Sequence, residues 1–322
     1  MSSQRGRWGV VLFLTVAVAL LLACSIVTTS APPTAPTYDP TKAALEIQAT
    51  FVSMQLTQGA MLLKPAAETE PPQPAVTPPS PTPEPPTAVA APPTEDIEAK
   101  IQSAKVLVYE NTDERGIGMW VQDALEGLGM DYTQTGSYSG HFMEYLNSGM
   151  KWDLIIVDAE DKDKISGEFW DVISNRLARD KAALIAEVWY LDRESGGPMG
   201  RILGGCGVRY RKDLPVDDSV YWWEPQHPVF NEPNTVLPLL HFSAFWGNQA
   251  GDKLMLGSGG DATMLAGLSS MPSSGEGVLA TCYSGRVIIQ TFSDHDYHQS
   301  DIIALWQNYI HWTLKNHFEA LK

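Results

Sequence analysis

Beyond residue 100 the chain carries three short runs that are apolar at nearly every position: Val106-Leu107-Val108-Tyr109, Leu154-Ile155-Ile156-Val157 and Ala182-Ala183-Leu184-Ile185-Ala186. A strand with one wet face alternates polar and apolar residues, whereas a continuous apolar run needs cover on both faces. Between the runs lie stretches of helical spacing. Trp120, Ala124, Leu125 and Leu128 form one, closed by Gly129, and Phe169 to Leu177 forms the next. Strands that alternate with helices in this way predict an α/β fold of the doubly wound kind, with a mostly parallel sheet between two helical layers.

The pattern changes after Asp192. Gly196-Gly197-Pro198 is a turn signal. Met199 to Leu203 reads as a short helix ending at Gly204-Gly205, and Val208-Arg209-Tyr210 as a short strand. Val278 to Tyr283 and Arg286 to Phe292 read as a hairpin around Ser284-Gly285. Ser300 is placed as the cap of a last helix, with Asp301 in its first turn and Ile302, Leu305, Trp306, Tyr309, Trp312 and Phe318 as its apolar side. Residues 95–322 are therefore read as one α/β domain closed by a C-terminal hairpin and helix.

The first ninety-odd residues are of another kind. Arg5 and Arg7 precede sixteen uncharged residues, Trp8 to Ala23, and Leu21-Leu22-Ala23-Cys24 follows the order of a secretory signal, residues 1–24. The run is shorter than the roughly 20 residues a membrane-spanning helix needs. Residues 25–94 are a tether. From Pro65 to Thr94 it is rich in proline pairs and threonine, a composition that stays extended and could reach roughly 90 Å at about 3.1 Å per residue. Within it, residues 41–63 place Leu45, Ala49, Val52, Leu56 and Leu63 on one helical face.

The net charge of −16 argues against nucleic acid as a partner, since phosphate binding draws on clustered Lys and Arg. Three cysteines are present. With Cys24 taken by the signal, Cys206 and Cys282 remain as a disulfide pair or as two separately buried thiols.

Two resemblances extend these readings. The Leu-Leu-Ala-Cys ending resembles the bacterial lipobox, which implies a lipid on Cys24 and a protein held on the extracytoplasmic side of a cell membrane. The order Val106-Leu107-Val108, Asp153 to Val157, Ala183-Leu184-Ile185, His227-Pro228-Val229-Phe230 and Gly285 to Ile289 resembles the class I glutamine amidotransferase-like superfamily, including its trehalose-utilisation branch. The second resemblance implies a flavodoxin-like fold with a site at the carboxyl ends of the strands. It also implies a cysteine nucleophile on the turn after the third apolar run. That turn reads Glu187-Val188-Trp189-Tyr190-Leu191-Asp192, with neither Cys nor Ser, so acyl transfer lacks its starting group.

Candidate site residues gather at the strand ends. Glu110, Asn111, Asp113 and Glu114 follow the first strand, Asp158, Glu160 and Asp161 the second, and Glu187, Trp189 and Tyr190 the third. Carboxylates and amides beside aromatic rings suit a carbohydrate, with Trp222, Trp223 and Trp246 as further rings. After the late strand, Asp294, His295, Asp296 and His298 could ligate a divalent metal or move protons, or could form a solvated loop and a helix start. No organic cofactor is expected. Gly116 to Val121 lacks the third glycine of a dinucleotide fingerprint, and Gly257 to Asp261 lacks the Lys-Ser/Thr of a phosphate loop. The leading expectation is a lipid-anchored, non-catalytic binding module, with carbohydrate as a possible ligand. A metal- or His-dependent hydrolase and a structural envelope spacer are the alternatives.

Overall fold

The computed structural model describes residues 96–111, 118–160, 167–214, 219–247, 251–272 and 275–322. The chain divides into two units, Met1–Ala88 and Val89–Lys322, and the description concerns the second. Cys24, the tether, the 41–63 segment, Asp113, Glu114 and Asp161 lie outside the described residues.

Eight strands make the main sheet. In chain order they are β1 (Val106–Glu110), β2 (Tyr132–Gln134), β3 (Leu154–Asp158), β4 (Ala183–Glu187), β6 (Tyr221–Trp222), β8 (Thr263–Gly267), β10 (Leu279–Cys282) and β11 (Val287–Gln290). Their spatial order is β2-β1-β3-β4-β11-β10-β8-β6. The first five are mutually parallel, and β10, β8 and β6 continue the sheet antiparallel. This is the flavodoxin-like order, with β11 as the fifth parallel strand and the reversal of winding between β1 and β3, where such sheets open a crevice. A separate antiparallel sheet holds β5 (Val208–Asp213), β7 (Asp252–Leu256) and β9 (Glu276–Gly277).

The helices sort onto the two faces as the continuous strands require. One face packs α1 (Ile97–Gln102), α2 (Trp120–Gly127) and the long last helix α7 (Gln299–Ala320) against Val106, Val108, Leu154, Ile156, Ala183, Ile185 and Ile288. The other packs α3 (Ser139–Asn147), α4 (Phe169–Arg179) and α6 (Met199–Cys206) against Leu107, Tyr109, Ile155, Val157, Leu184 and Ala186. The alternate residues of each strand thus feed two cores. A four-residue helix, α5 (Leu191–Glu194), follows β4.

Local chemistry sets the ends. Gly129 (φ 67°) closes α2, with Met130 N–H returning to the Leu125 carbonyl, the six-to-one bond of a Schellman motif. The α6 helix runs past Gly204-Gly205 and stops at Gly207, whose φ of 86° ends the helix. At the hairpin tip the two central residues are Tyr283 (φ 52°) and Ser284 (φ 56°), one position earlier than the Ser284-Gly285 pair. Asp261 explains the shift, because its carboxylate accepts both N–H groups at 2.6 Å and supports two consecutive left-handed residues. Ser300 is not the cap of the last helix. His298 is, with extended backbone (φ −72°, ψ 130°), so the helix starts at Gln299 and Ser300 lies inside it; Asp301 is in the first turn as expected. Cys206, at the end of α6, is joined by a disulfide to Cys282 of β10.

Candidate functional site

The carboxyl ends of four adjacent parallel strands carry one row of polar residues. Glu110 of β1 is in register with Asp158 of β3, Asp158 with Glu187 of β4, and Glu187 with Gln290 of β11. By the two-residue alternation of strands the whole row points to the face of α2 and α7. All four residues are buried, as are Glu160 and Asp294. Such a row is unusual inside a protein, because a carboxylate taken from water costs several kcal/mol unless a charge or hydrogen bonds compensate it.

Each carboxylate has a distinct set of neighbours. Glu110 accepts Val121 N–H at 2.9 Å and the Gln122 side-chain amide at 3.2 Å, so the first turn of α2 sits directly on it. Glu187 Oε2 accepts Ala159 N–H at 3.0 Å. Glu160, two residues past Asp158, is the best supplied: it accepts Asp294 N–H at 2.6 Å, the Ser293 hydroxyl at 2.9 Å and Trp246 Nε1–H at 2.7 Å. Asp294 accepts the Gln290 amide and Trp306 Nε1–H, both at 2.5 Å, and Tyr309 hydroxyl in turn donates to Gln290 Oε1 at 3.1 Å. No N–H or O–H donor reaches Asp158 Oδ1 or Glu187 Oε1.

The turn after β11 organises the other side. His295 is 7% exposed and stacks on the Trp120 indole, with ring centroids 4.0 Å apart. Phe245 lies 5.6 Å away on a tilted contact, and Nδ1 is 3.2 Å from Glu160 Oε1 at ion-pair distance, though not in hydrogen-bond alignment. Asp296 holds the segment that carries these rings. Its backbone carbonyl accepts Phe242 and Ser243 N–H, and its carboxylate accepts Phe245 N–H at 2.9 Å. Ser243 hydroxyl donates to the His295 carbonyl.

Electrostatics follow from this burial. Loss of water, then the hydrogen bonds that partly offset it and the charge of Asp294, leave the Glu110 pKa raised to about 7. Burial, then the Glu160 charge, lifts Asp294 to about 7 despite its two donors. Asp158 and Glu187 are pushed well above the carboxylate range, by burial first and then by each other's neighbours, Asp294 and Glu110 for Asp158 and Glu160 for Glu187. Burial pulls the His295 pKa down, but Glu160, Asp294 and the Gly118 backbone outweigh it, and the net shift is upward.

The sequence-derived candidates divide accordingly. Glu110, Asn111, Asp158, Glu187, Asp294 and His295 come together at the strand ends, and the Asn111 N–H bonds the Asp158 carbonyl at 2.9 Å. Asp296 is buried beside them as a holder of the ring segment. His298 does not join them; it is exposed, caps α7 and faces Phe242 at 4.1 Å. Trp189 and Tyr190 are buried, with Trp189 Nε1–H donating to the Glu160 carbonyl at 2.9 Å and its ring 5.3 Å from that of Trp246. Trp222 stacks on Phe230 and belongs to the core.

Ser293, Trp120 and Trp306, which carry no site signal of their own in the local sequence pattern, complete the site together with Gln290. Gln290 had one signal, an amide closing an otherwise apolar strand. Past its carboxyl end, β4 runs from Glu187 into buried Val188 and Trp189. Cys206, the one cysteine flanked by glycines, is committed to its disulfide.

Asp158, Glu160 and Asp294 each offer a carboxylate oxygen within 4.8 Å of the other two, a buried acidic triad that could hold a metal ion. Among the described residues no helix is long and apolar enough to cross a membrane. The chain matches no protein-family model, and no curated protein matches it.

Proposed function

We propose that this chain is a lipid-anchored protein of the extracytoplasmic cell surface. In this reading its amidotransferase-like domain has no acyl-transfer chemistry and works as a binding module, with a carbohydrate as the ligand class. The observation that carries the reading is the end of β4, where Val188 and Trp189 stand at the nucleophile's place while the strand-end site around it is fully built. The Cys206–Cys282 disulfide supports an oxidising compartment. Phe245 and Phe242 are exposed beside half-buried Trp246, so aromatic faces adjoin the carboxylates, the combination that takes C–H faces and hydroxyls of a sugar.

The test is a glycan array with the intact chain, followed by titration of any hit against Phe245→Ala. Binding that weakens by about tenfold in the variant, roughly 1.4 kcal/mol, with no turnover of amides or glycosides, is the expected result. A second reading, a cation-assisted hydrolase, is favoured by the His295–Glu160 contact beside the triad. Turnover abolished by His295→Ala would establish it and sink the binding module.

A further inference from the structure

The carboxylate row leaves an electrostatic question open: what compensates it. Glu110, Asp158, Glu160, Glu187 and Asp294 are each no more than 1% exposed. Among the described residues no Lys or Arg pairs with any of them, and His295 is the one imidazole at ion-pair distance. Hydrogen-bond donors satisfy Glu110, Glu160 and Asp294, but Asp158 Oδ1 and Glu187 Oε1 meet none, although both lie in the same buried row and in adjacent register. Two buried carboxylates in adjacent register, close enough for a side-chain hydrogen bond to each other and each with one oxygen reached by no N–H donor, call for either a proton between them or a cation at Asp158.

The geometry points to a cation. We infer that Asp158, Glu160 and Asp294 form a binding site for a hard divalent cation. This inference rests on the proposal that the strand ends are the functional site. The ligand atoms lie within 4.8 Å of one another. A calcium ion bonded at about 2.4 Å spaces its oxygens by roughly 3.4 Å for neighbours and 4.8 Å across, within its tolerant shell. The donor set is all carboxylate oxygen, which selects Ca²⁺, Mg²⁺ or Mn²⁺ over the thiolate- and imidazole-preferring metals.

The scaffold is preorganised for this. Glu160 is held by Ser293, Trp246 and the Asp294 N–H, and Asp294 by Gln290 and Trp306, so two of the three ligands are oriented from outside the cation's own shell. Asp158 is placed by strand pairing on both sides. The three ligands come from β3, the residues just after it and the turn after β11, so the cation would tie two separate parts of the rim together.

The experiment uses the intact chain, stripped with EDTA and titrated with CaCl₂, MgCl₂ or MnCl₂ alone by calorimetry, alongside metal analysis of the protein as purified. Stoichiometric binding of one cation, with a rise in thermal midpoint, is expected. Asp158→Asn should weaken binding at least tenfold. Since Asn keeps the shape of the side chain without a group that must ionise in a buried place, the stripped variant should be no less stable than stripped wild type. Asp294→Asn repeats the test at a second ligand, and Asp301→Asn, on the exposed start of α7, should bind as wild type.

No heat and no thermal response in wild type would overturn the site and leave Asp158 and Glu187 sharing a proton. Cation binding unchanged by both ligand variants would place the cation elsewhere and overturn it equally. Glycan binding at full strength in a chain that gives no cation heat and no thermal response would remove the cation while leaving the binding module standing. Cation binding with no glycan captured would do the reverse.

Discussion

At the scale of single residues, the buried acids make stability depend on pH in an unusual direction. Glu110 and Asp294 have pKa values raised to about 7, chiefly by burial. Between their unfolded values near 4 and about 7 the folded chain holds more protons than the unfolded one, so stability falls as pH rises through that window. In EDTA, the thermal midpoint of the intact chain should be higher at pH 5 than at pH 8. Glu110→Gln should reduce that difference by its own share, on the order of 3 kcal/mol at pH 8, leaving the part due to Asp294. A midpoint that rose steadily with pH would mean that the row is ionised in the folded state. Asp296 acts at the same scale through one carboxylate and one carbonyl. Asp296→Ala should cost about 1–2 kcal/mol by freeing the Phe245 N–H, seen as faster local hydrogen exchange over residues 242–246.

At the scale of elements, two joints can be tested. The disulfide links the end of α6 to β10 across 76 residues of sequence. Replacing both Cys206 and Cys282 by Ser should lower stability by roughly 4 kcal/mol on the chain-entropy account, measured by denaturant midpoint at constant m-value. Gly207 closes α6 with a φ of 86°, and a Cβ there would lie 1.9 Å from the Gly259 carbonyl oxygen. Gly207→Ala therefore combines backbone strain with a backbone clash and should destabilise by about 2–4 kcal/mol, whereas an alanine at Gly204, which has open space, should be tolerated. The hairpin strand β11 matters more than a closing arm would. It pairs parallel with β4 and carries Gln290 into the site's row, which makes it the fifth strand of the parallel core.

At the scale of the whole molecule, the proposal has three parts that fail separately: an anchor, a spacer and a rim site. Cys24→Ala should release the chain from the membrane fraction in cell fractionation while the domain keeps its fold and any glycan affinity. Retention in the membrane would refute the lipid reading and leave the rim untouched. The rim's position follows from the strand order. The four pairing strands β1, β3, β4 and β11 end side by side, and every buried carboxylate of the site sits at or just beyond one of those ends.

The sequence by itself determined the parallel core. Val106 to Tyr109, Leu154 to Val157 and Ala183 to Ala186 are apolar on both faces, and only a sheet covered on both sides satisfies that, so fold class and the rank of strand-end acids were legible from local pattern. The hydroxyl of Ser300 is a generic cap signal that does not mark the helix start; the extended backbone of His298 decides it. What only the tertiary structure decided is which acids meet. Glu110, Asp158, Glu160, Glu187 and Asp294 are spread over some 180 residues, and their register depends on strand pairing that no local signal encodes. His295 and His298 look equivalent in sequence, yet three residues of turn and helix start send one under Trp120 and the other to solvent. Pattern along a chain reports which faces are buried; the meeting of charges across strands is a long-range contact, and it exists only once the sheet has closed.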